Sequence, residues 1–168
     1  VAGIPVQGKR LIGGGLILMV LAAALPVSAQ AVPGEAYTRP SMADLGLPFS
    51  EAVRAGDTLY LSGQIGAAPG SLDVVAGGIG PETRQVMENI GAVLAHFGAD
   101  YGDIVKCTVM LADMGDWPAF NDIYKGYFGA GPYPARSAFG AAGLALGAHV
   151  ELECMAYVPE EAAEASAP

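Results

Sequence analysis

The chain has 168 residues, of which 52% are hydrophobic and 15% charged, and a formal net charge of −9. That length builds one domain with an ordinary core once a short N-terminal segment is set aside. Removing Lys9 and Arg10 with that segment leaves six Lys and Arg against seventeen Asp and Glu, a net charge of −11, which disfavours nucleic acid and anionic lipid as partners because both are bound through cationic contacts.

The segment reads as a secretory signal over residues 1–31. Lys9-Arg10 is a positive n-region, Leu11 to Leu25 an apolar run, and Pro26-Val27-Ser28-Ala29-Gln30-Ala31 places small residues at cleavage spacing. Cleavage after Ala29 or Ala31 predicts a periplasmic or secreted protein without stable membrane association. A retained anchor is the alternative; the apolar run is short for a membrane span, and Pro26 ends it.

The spacing of residues predicts the following elements. Residues 32–46 form an extended arm leading into a folded domain over 47–159, with a disordered tail at 160–168. Ala52-Val53-Arg54 and Thr58-Leu59-Tyr60-Leu61-Ser62 flank Ala55-Gly56-Asp57 as a hairpin. A glycine-rich loop follows; it lacks the lysine and the strand-to-helix context of a phosphate cradle. Pro81, at the first helical position, opens a helix over about 81–97, with Val86, Ile90, Val93 and Phe97 on one face and Gly98 as its stop. Ile104 to Leu111 is a strand with Val105, Cys107, Val109 and Leu111 on one face. Asp116 caps a second helix to about Tyr127. A strand around Ser137 to Ala141, the loop Gly143 to Gly147 and a strand Val150 to Val158 complete the chain. On the last strand Val150, Leu152, Cys154, Ala156 and Val158 point one way, and Glu151, Glu153, Met155 and Tyr157 the other.

This order predicts an α+β domain, one mixed sheet with two helices on a single face. The uncovered face carries Met110, Met155 and Tyr157, too apolar for a simple water face, so other copies of the chain are expected to cover it. Cys107 and Cys154 sit in apolar strands with no second thiol or histidine at ligand spacing. Buried free thiols are the plain expectation, and an oxidising compartment leaves a disulfide open if the two strands are neighbours.

Two stretches carry chemistry. In Pro134-Ala135-Arg136-Ser137 an arginine lies between a proline turn and small residues, so its fork is a candidate carboxylate receptor; a surface ion pair is the plainer alternative. In Val150-Glu151-Leu152-Glu153 two carboxylates share a strand face.

With these stretches, Pro48-Phe49-Ser50-Glu51-Ala52-Val53, Leu59-Tyr60-Leu61-Ser62-Gly63-Gln64-Ile65-Gly66, Glu82-Thr83-Arg84-Gln85, Glu88-Asn89-Ile90, Lys106-Cys107-Thr108-Val109 and Phe120-Asn121-Asp122-Ile123-Tyr124 resemble the RidA (YjgF) family of imine deaminases from about Leu47 to Val158. The resemblance implies a chorismate-mutase-like fold, a homotrimer with sites between subunits, and cofactor-free hydrolysis of small anionic 2-imino or enamino acids, such as 2-aminoacrylate and 2-iminopropanoate, to 2-keto acids and ammonia. It implies that Arg136 binds the substrate carboxylate and that Glu151 positions or activates water. It also implies that Phe49, Ser62, Gly63, Asn121, Tyr124 and Ala138 line the pocket. Phe49 stands where many members carry tyrosine, and Ala138 replaces a cysteine common in one branch, leaving its backbone N–H for a carboxylate.

Glu153 is expected to be a structural or interface partner, His149 an exposed strand-end residue, His96 a helix-surface residue, and Trp117 and Tyr133 packing residues. No histidine has metal-ligand spacing. The alternatives to the deaminase are a non-catalytic, metabolite-binding or protein-stabilising member of the same fold, a chorismate mutase, and a ribonuclease. A chorismate mutase wants more cations than Arg136 supplies, and the acidic charge opposes RNA.

Overall fold

The computed structural model describes residues 34–159, and the segment 1–31 and the tail 160–168 lie outside them. In chain order the elements are β1 (Glu35–Tyr37), α1 (Pro40–Ala43), β2 (Ala52–Ala55), β3 (Thr58–Leu61), β4 (Gln64–Ile65), α2 (Ile79–His96), β5 (Ile104–Leu111), α3 (Trp117–Tyr124), β6 (Ala135–Gly140) and β7 (Val150–Tyr157). One sheet runs β1-β2-β3-β7-β5-β6, with β4 also pairing β7. All ladders are antiparallel except β5–β6, which is parallel and joined through α3. The α+β class and the two longer helices agree with the sequence reading.

The alternation along β7 decides its faces as expected: Val150, Leu152, Cys154 and Ala156 are buried, and Glu151, Glu153, Met155 and Tyr157 are not. Along β5 the expectation holds from Cys107 onward but fails at its start. The ladder shifts between Ile104 and Lys106, so Ile104 enters the core and Val105 is left exposed. An irregularity of one residue reverses every side chain before it.

Against this face α2 buries Val86, Met87, Ile90, Val93 and Leu94. Each such side chain contributes about 1.5–3 kcal/mol over an exposed one. Helix α2 starts at Ile79, two residues before the expected start, and Pro81 is tolerated because the first turn has no carbonyl for its missing N–H. Gly98, at φ 67°, closes the helix, and Ala99 N–H donates to the Leu94 carbonyl.

Two expectations change. Cys107 and Cys154 are not free thiols: they lie directly opposite each other on β5 and β7 and form a disulfide in the core. The arm is not merely extended, because Glu35–Tyr37 pair with β2 and Pro40–Ala43 make a helical turn. Arg39 between them donates from its backbone N–H and its guanidinium to the buried carboxylate of Glu51.

β3 and β4 both pair with β7, with a break at Ser62-Gly63: the four steps from Tyr60 to Gln64 face only three from Met155 to Leu152. This bulge aims the chain at Glu151. A Cβ at Gly63 would overlap the Glu151 carboxylate where it lies, so a larger residue here would push that carboxylate aside.

Candidate active site

Arg136 lies on the edge strand β6 in register with Cys107, which directs it to the helix-covered face of the sheet. Its guanidinium carbon lies 4.6 Å from the centre of the Trp117 ring, 4.8 Å from Tyr124 and 5.7 Å from Phe120. The faces of these rings attract the cation. Among the described residues no carboxylate pairs with it. The surface ion pair is therefore not what this arginine makes.

Beside it, the Tyr124 hydroxyl is buried and has no hydrogen-bond partner among the described residues. Burial pushes the Tyr124 pKa up to about 12, with Arg136 pulling weakly the other way, so the phenol stays a neutral donor. A buried donor without an acceptor is costly unless a ligand supplies one. Arg136 and Tyr124 open with Asn121, Lys125, Tyr133 and Pro134 on a cavity of about 410 Å³. Lys125 is spent on Asp122 at 2.7 Å.

Glu151 faces a different cavity, of about 320 Å³, whose lining includes Phe49, Gly63, Ile65 and Glu151. Burial raises the Glu151 pKa above the ordinary carboxylate range, and the charge of Glu153 adds to the shift. Ser62 is turned to structure, its hydroxyl donating to the Ser50 carbonyl at 2.7 Å. Ala138 packs partly buried against the core on the Arg136 side of β6.

His149 sits just before β7. It is exposed as expected, and it is also tied to α2: its backbone N–H donates to Glu82 Oε2 at 2.7 Å, and its Nδ1 lies 2.6 Å from Glu82 Oε1. Glu82 is buried, so one carboxylate clamps the start of β7, two residues from Glu151, to the first turn of α2.

One protomer does not bring Arg136 and Glu151 together. Glu151 pairs with Met110 and Arg136 with Cys107, positions of opposite parity on β5, so the sheet separates them. Phe49, Gly63 and Glu151 gather at one cavity, Asn121, Tyr124 and Arg136 at the other, and the two share no residue. Sequence reasoning missed the aromatic platform of Trp117, the Arg39–Glu51 pair and the Glu82–His149 clamp. The tryptophan beside a helix start carried a signal; the two ion pairs, 12 and 67 residues apart in sequence, carried none. Among the described residues no three His, Cys, Asp or Glu side chains gather as metal ligands.

The fold and its cavities define an α+β domain with ligand-sized recesses on both faces of its sheet. The profile of the endoribonuclease L-PSP family matches residues 42–158. The chain is 43% identical over 135 residues to Reactive Intermediate Deaminase A, chloroplastic, of Arabidopsis thaliana, covering 80% of this chain and 71% of that one. It is 45% identical over 109 residues to the 2-iminobutanoate/2-iminopropanoate deaminase of Mus musculus, covering 65% of this chain and 80% of the relative. The crystal structure of RidA from an Antarctic Psychrobacter matches with a TM-score of 0.65 at 31% identity, over 76% of this chain and all of the other. That of E. coli TdcF with bound serine matches with a TM-score of 0.62 at 31% identity, over 66% and 88% of the two chains. The chain belongs to the endoribonuclease L-PSP family, the RidA (YjgF) family.

Proposed function

We propose that this chain is a hydrolytic imine deaminase that converts 2-imino acids to 2-keto acids and ammonia. The observation that carries the reading is Arg136: a cation beside three aromatic rings and next to a buried hydroxyl, neither of them with a partner among the described residues. A substrate carboxylate satisfies both. The deaminase names of the plant and mouse relatives, and the serine bound by TdcF, support a small carboxylate ligand of this kind.

In the reaction Glu151 takes a proton from water as the water oxygen bonds to the imine carbon, and the C=N pair moves to nitrogen. The proton passes to that nitrogen to give a carbinolamine; Glu151 then takes the hydroxyl proton and hands it to the amine, the C–N bond breaks as the C=O of the keto acid forms, and ammonia leaves. An imine conjugated to a carboxylate is already electrophilic, so positioning and one proton route supply most of the gain. The raised Glu151 pKa moves this carboxylate toward the pH at which it both accepts and returns a proton.

The two half-sites meet only between copies of the chain. A homotrimer that covers the outer sheet face brings Arg136, Asn121 and Tyr124 of one protomer to Phe49, Gly63 and Glu151 of another. The exposed Tyr60, Phe139 and Tyr157 on that face, beside the partly buried Met110 and Met155, support such an assembly. The pattern of residues 1–31 and the Cys107–Cys154 disulfide both support export to an oxidising compartment, periplasmic or extracellular. The acidic charge speaks against RNA despite the ribonuclease in the family's name.

The test is a coupled assay in which an amino-acid oxidase generates imino acids and keto-acid release is followed. Acceleration over spontaneous hydrolysis is expected. Binding of keto acids without acceleration would instead favour the non-catalytic member of the fold.

A further inference from the structure

We propose that Glu82 is a positioning residue for the reaction: its buried carboxylate, held to His149, fixes Glu151 near the end of a strand that would otherwise fray. This rests on the deaminase reading above. Glu151 is the second residue of β7, and the ends of elements open at the lowest free energies in a fold. The chain that leads into it is a loop with two left-handed residues in succession, Leu146 at φ 55° and Gly147 at φ 73°. A group that must meet a water and an imine in one geometry loses rate with every displacement of such an end unless something holds it.

Helix α2 holds it from two sides. The His149 carbonyl accepts from the Ala112 N–H, just past β5, at 3.0 Å, while the His149 N–H donates to Glu82 Oε2 at 2.7 Å and the ring Nδ1 lies 2.6 Å from Glu82 Oε1. Both oxygens of the carboxylate are thus spent on one residue, two positions before Glu151. On the other side Ile65 of β4 pairs with Glu151, and the Asn89 amide nitrogen of α2 donates to the carbonyls of Ile65 and Ala67 at 3.2 and 3.0 Å. Glu82 also lies against the end of β4: a Cβ on Gly66 would come within 2.8 Å of the Glu82 Cα, so the glycine makes room for the helix beside the partner of Glu151.

The core does not call for this carboxylate. Strand β7 is already held along its length by β5 and β3 and by the Cys107–Cys154 disulfide. A buried charge is costly, and an apolar residue of similar size is often as stable or more so. What Glu82 adds is direction at one point, the entry to β7, and the reacting group two residues along from that point is Glu151.

The experiment compares kcat, KM and pyruvate binding in the wild type, Glu82→Ala and Glu82→Gln, together with hydrogen exchange along β7. Glu82→Ala is expected to lower kcat about ten- to a hundredfold, the cost of a displacement of about 1 Å, with KM and pyruvate binding within about threefold of wild type. The amides of residues 149–151 are expected to exchange about tenfold faster or more, and those of residues 153–157 to keep their protection. A glutamine at 82 accepts from the His149 N–H and donates to Nδ1, so Glu82→Gln is expected to recover most of the lost kcat. Glutamine as slow as alanine, a wild-type kcat in Glu82→Ala, or a loss carried by KM instead of kcat would overturn the proposal and leave the deaminase intact. If Glu82→Ala does not fold, His149→Ala takes its place, because it removes the ring contact and keeps the backbone bond: a fall in kcat with KM unmoved supports the proposal, and an unchanged kcat overturns it. If the wild type turns over no imine, the deaminase reading fails, and exchange alone decides whether Glu82 fixes Glu151: loss of protection confined to residues 149–151 supports it, and unchanged or uniformly lowered protection overturns it.

Discussion

On the proposed reading, Arg136 is a single charged residue prepared for a ligand before the ligand arrives. Trp117, Phe120 and Tyr124 hold the guanidinium carbon within 4.6–5.7 Å of their ring centres, so a carboxylate that binds it orders less of the side chain. Arg136→Ala is expected to lower kcat/KM at least about a hundredfold, on the order of 3 kcal/mol, and lysine to restore little because a point charge does not reproduce the fork. Steady-state kinetics on a single imino acid checks this, and wild-type activity in Arg136→Ala would remove the arginine from the site. Glu151 works under the opposite constraint. Its proton is bound more tightly in the folded protein than in the unfolded chain, so its contribution to stability is full below the unfolded pKa and is lost as pH rises through the folded one. Glu151→Gln is therefore expected to raise Tm at neutral pH, the difference from wild type vanishing in acid, while kcat falls and keto-acid binding is kept. In the wild type the acid limb of kcat should lie above the ordinary carboxylate range. Thermal scans across pH and a kcat–pH profile read both effects. An unchanged kcat in Glu151→Gln would remove the carboxylate from the mechanism.

At the scale of elements, the strand pair β5–β7 carries the construction, since its register places Met110 opposite Glu151 and Cys107 opposite Cys154. The disulfide closes a sequence separation of 47 residues, and such a link typically contributes about 2–4 kcal/mol. Reductant is expected to lower the Tm of the wild type and to leave a Cys107→Ala/Cys154→Ala double variant unmoved; thiol labelling of unreduced protein that finds two free thiols would contradict the bond. Much of this pair was legible in the sequence because strand alternation is local: the buried and open sides of β7 follow from Val150 to Tyr157 alone. The bulge that turns Val105 outward was not legible, nor were the three-residue β1 and the two-residue β4, which exist through pairing with distant segments rather than through their own pattern. The same division applies to the site. Arg136 and Glu151 were legible as residue types in their motifs, but their opposite faces depend on registers across β5, which no local spacing encodes. The Arg39–Glu51 and Glu82–His149 pairs join segments with no sequence pattern in common, and they brace the cavity and the start of β7 out of sight of any motif.

At the scale of the whole molecule, the proposed mechanism and the separation of Arg136 from Glu151 together make the oligomeric state a catalytic requirement. Arg136 and Glu151 lie on opposite faces of one sheet and at separate cavities, so an active monomer is incompatible with a mechanism that uses both residues at one substrate. Light scattering at micromolar concentration is expected to give the mass of a trimer. Placing a charge on the outer face, for example Tyr157→Glu, is expected to shift the protein toward monomer and to lower activity in parallel, because like charges buried at an interface are costly unless paired. Mixing Arg136→Ala with Glu151→Gln subunits sharpens the test. If the half-sites come from different protomers, reassembled mixtures recover activity through interfaces that pair an intact Arg136 with an intact Glu151, though each parent is inactive. If instead each site is built within one chain, every site in the mixture retains one lesion and no activity returns, and the inter-subunit arrangement is wrong.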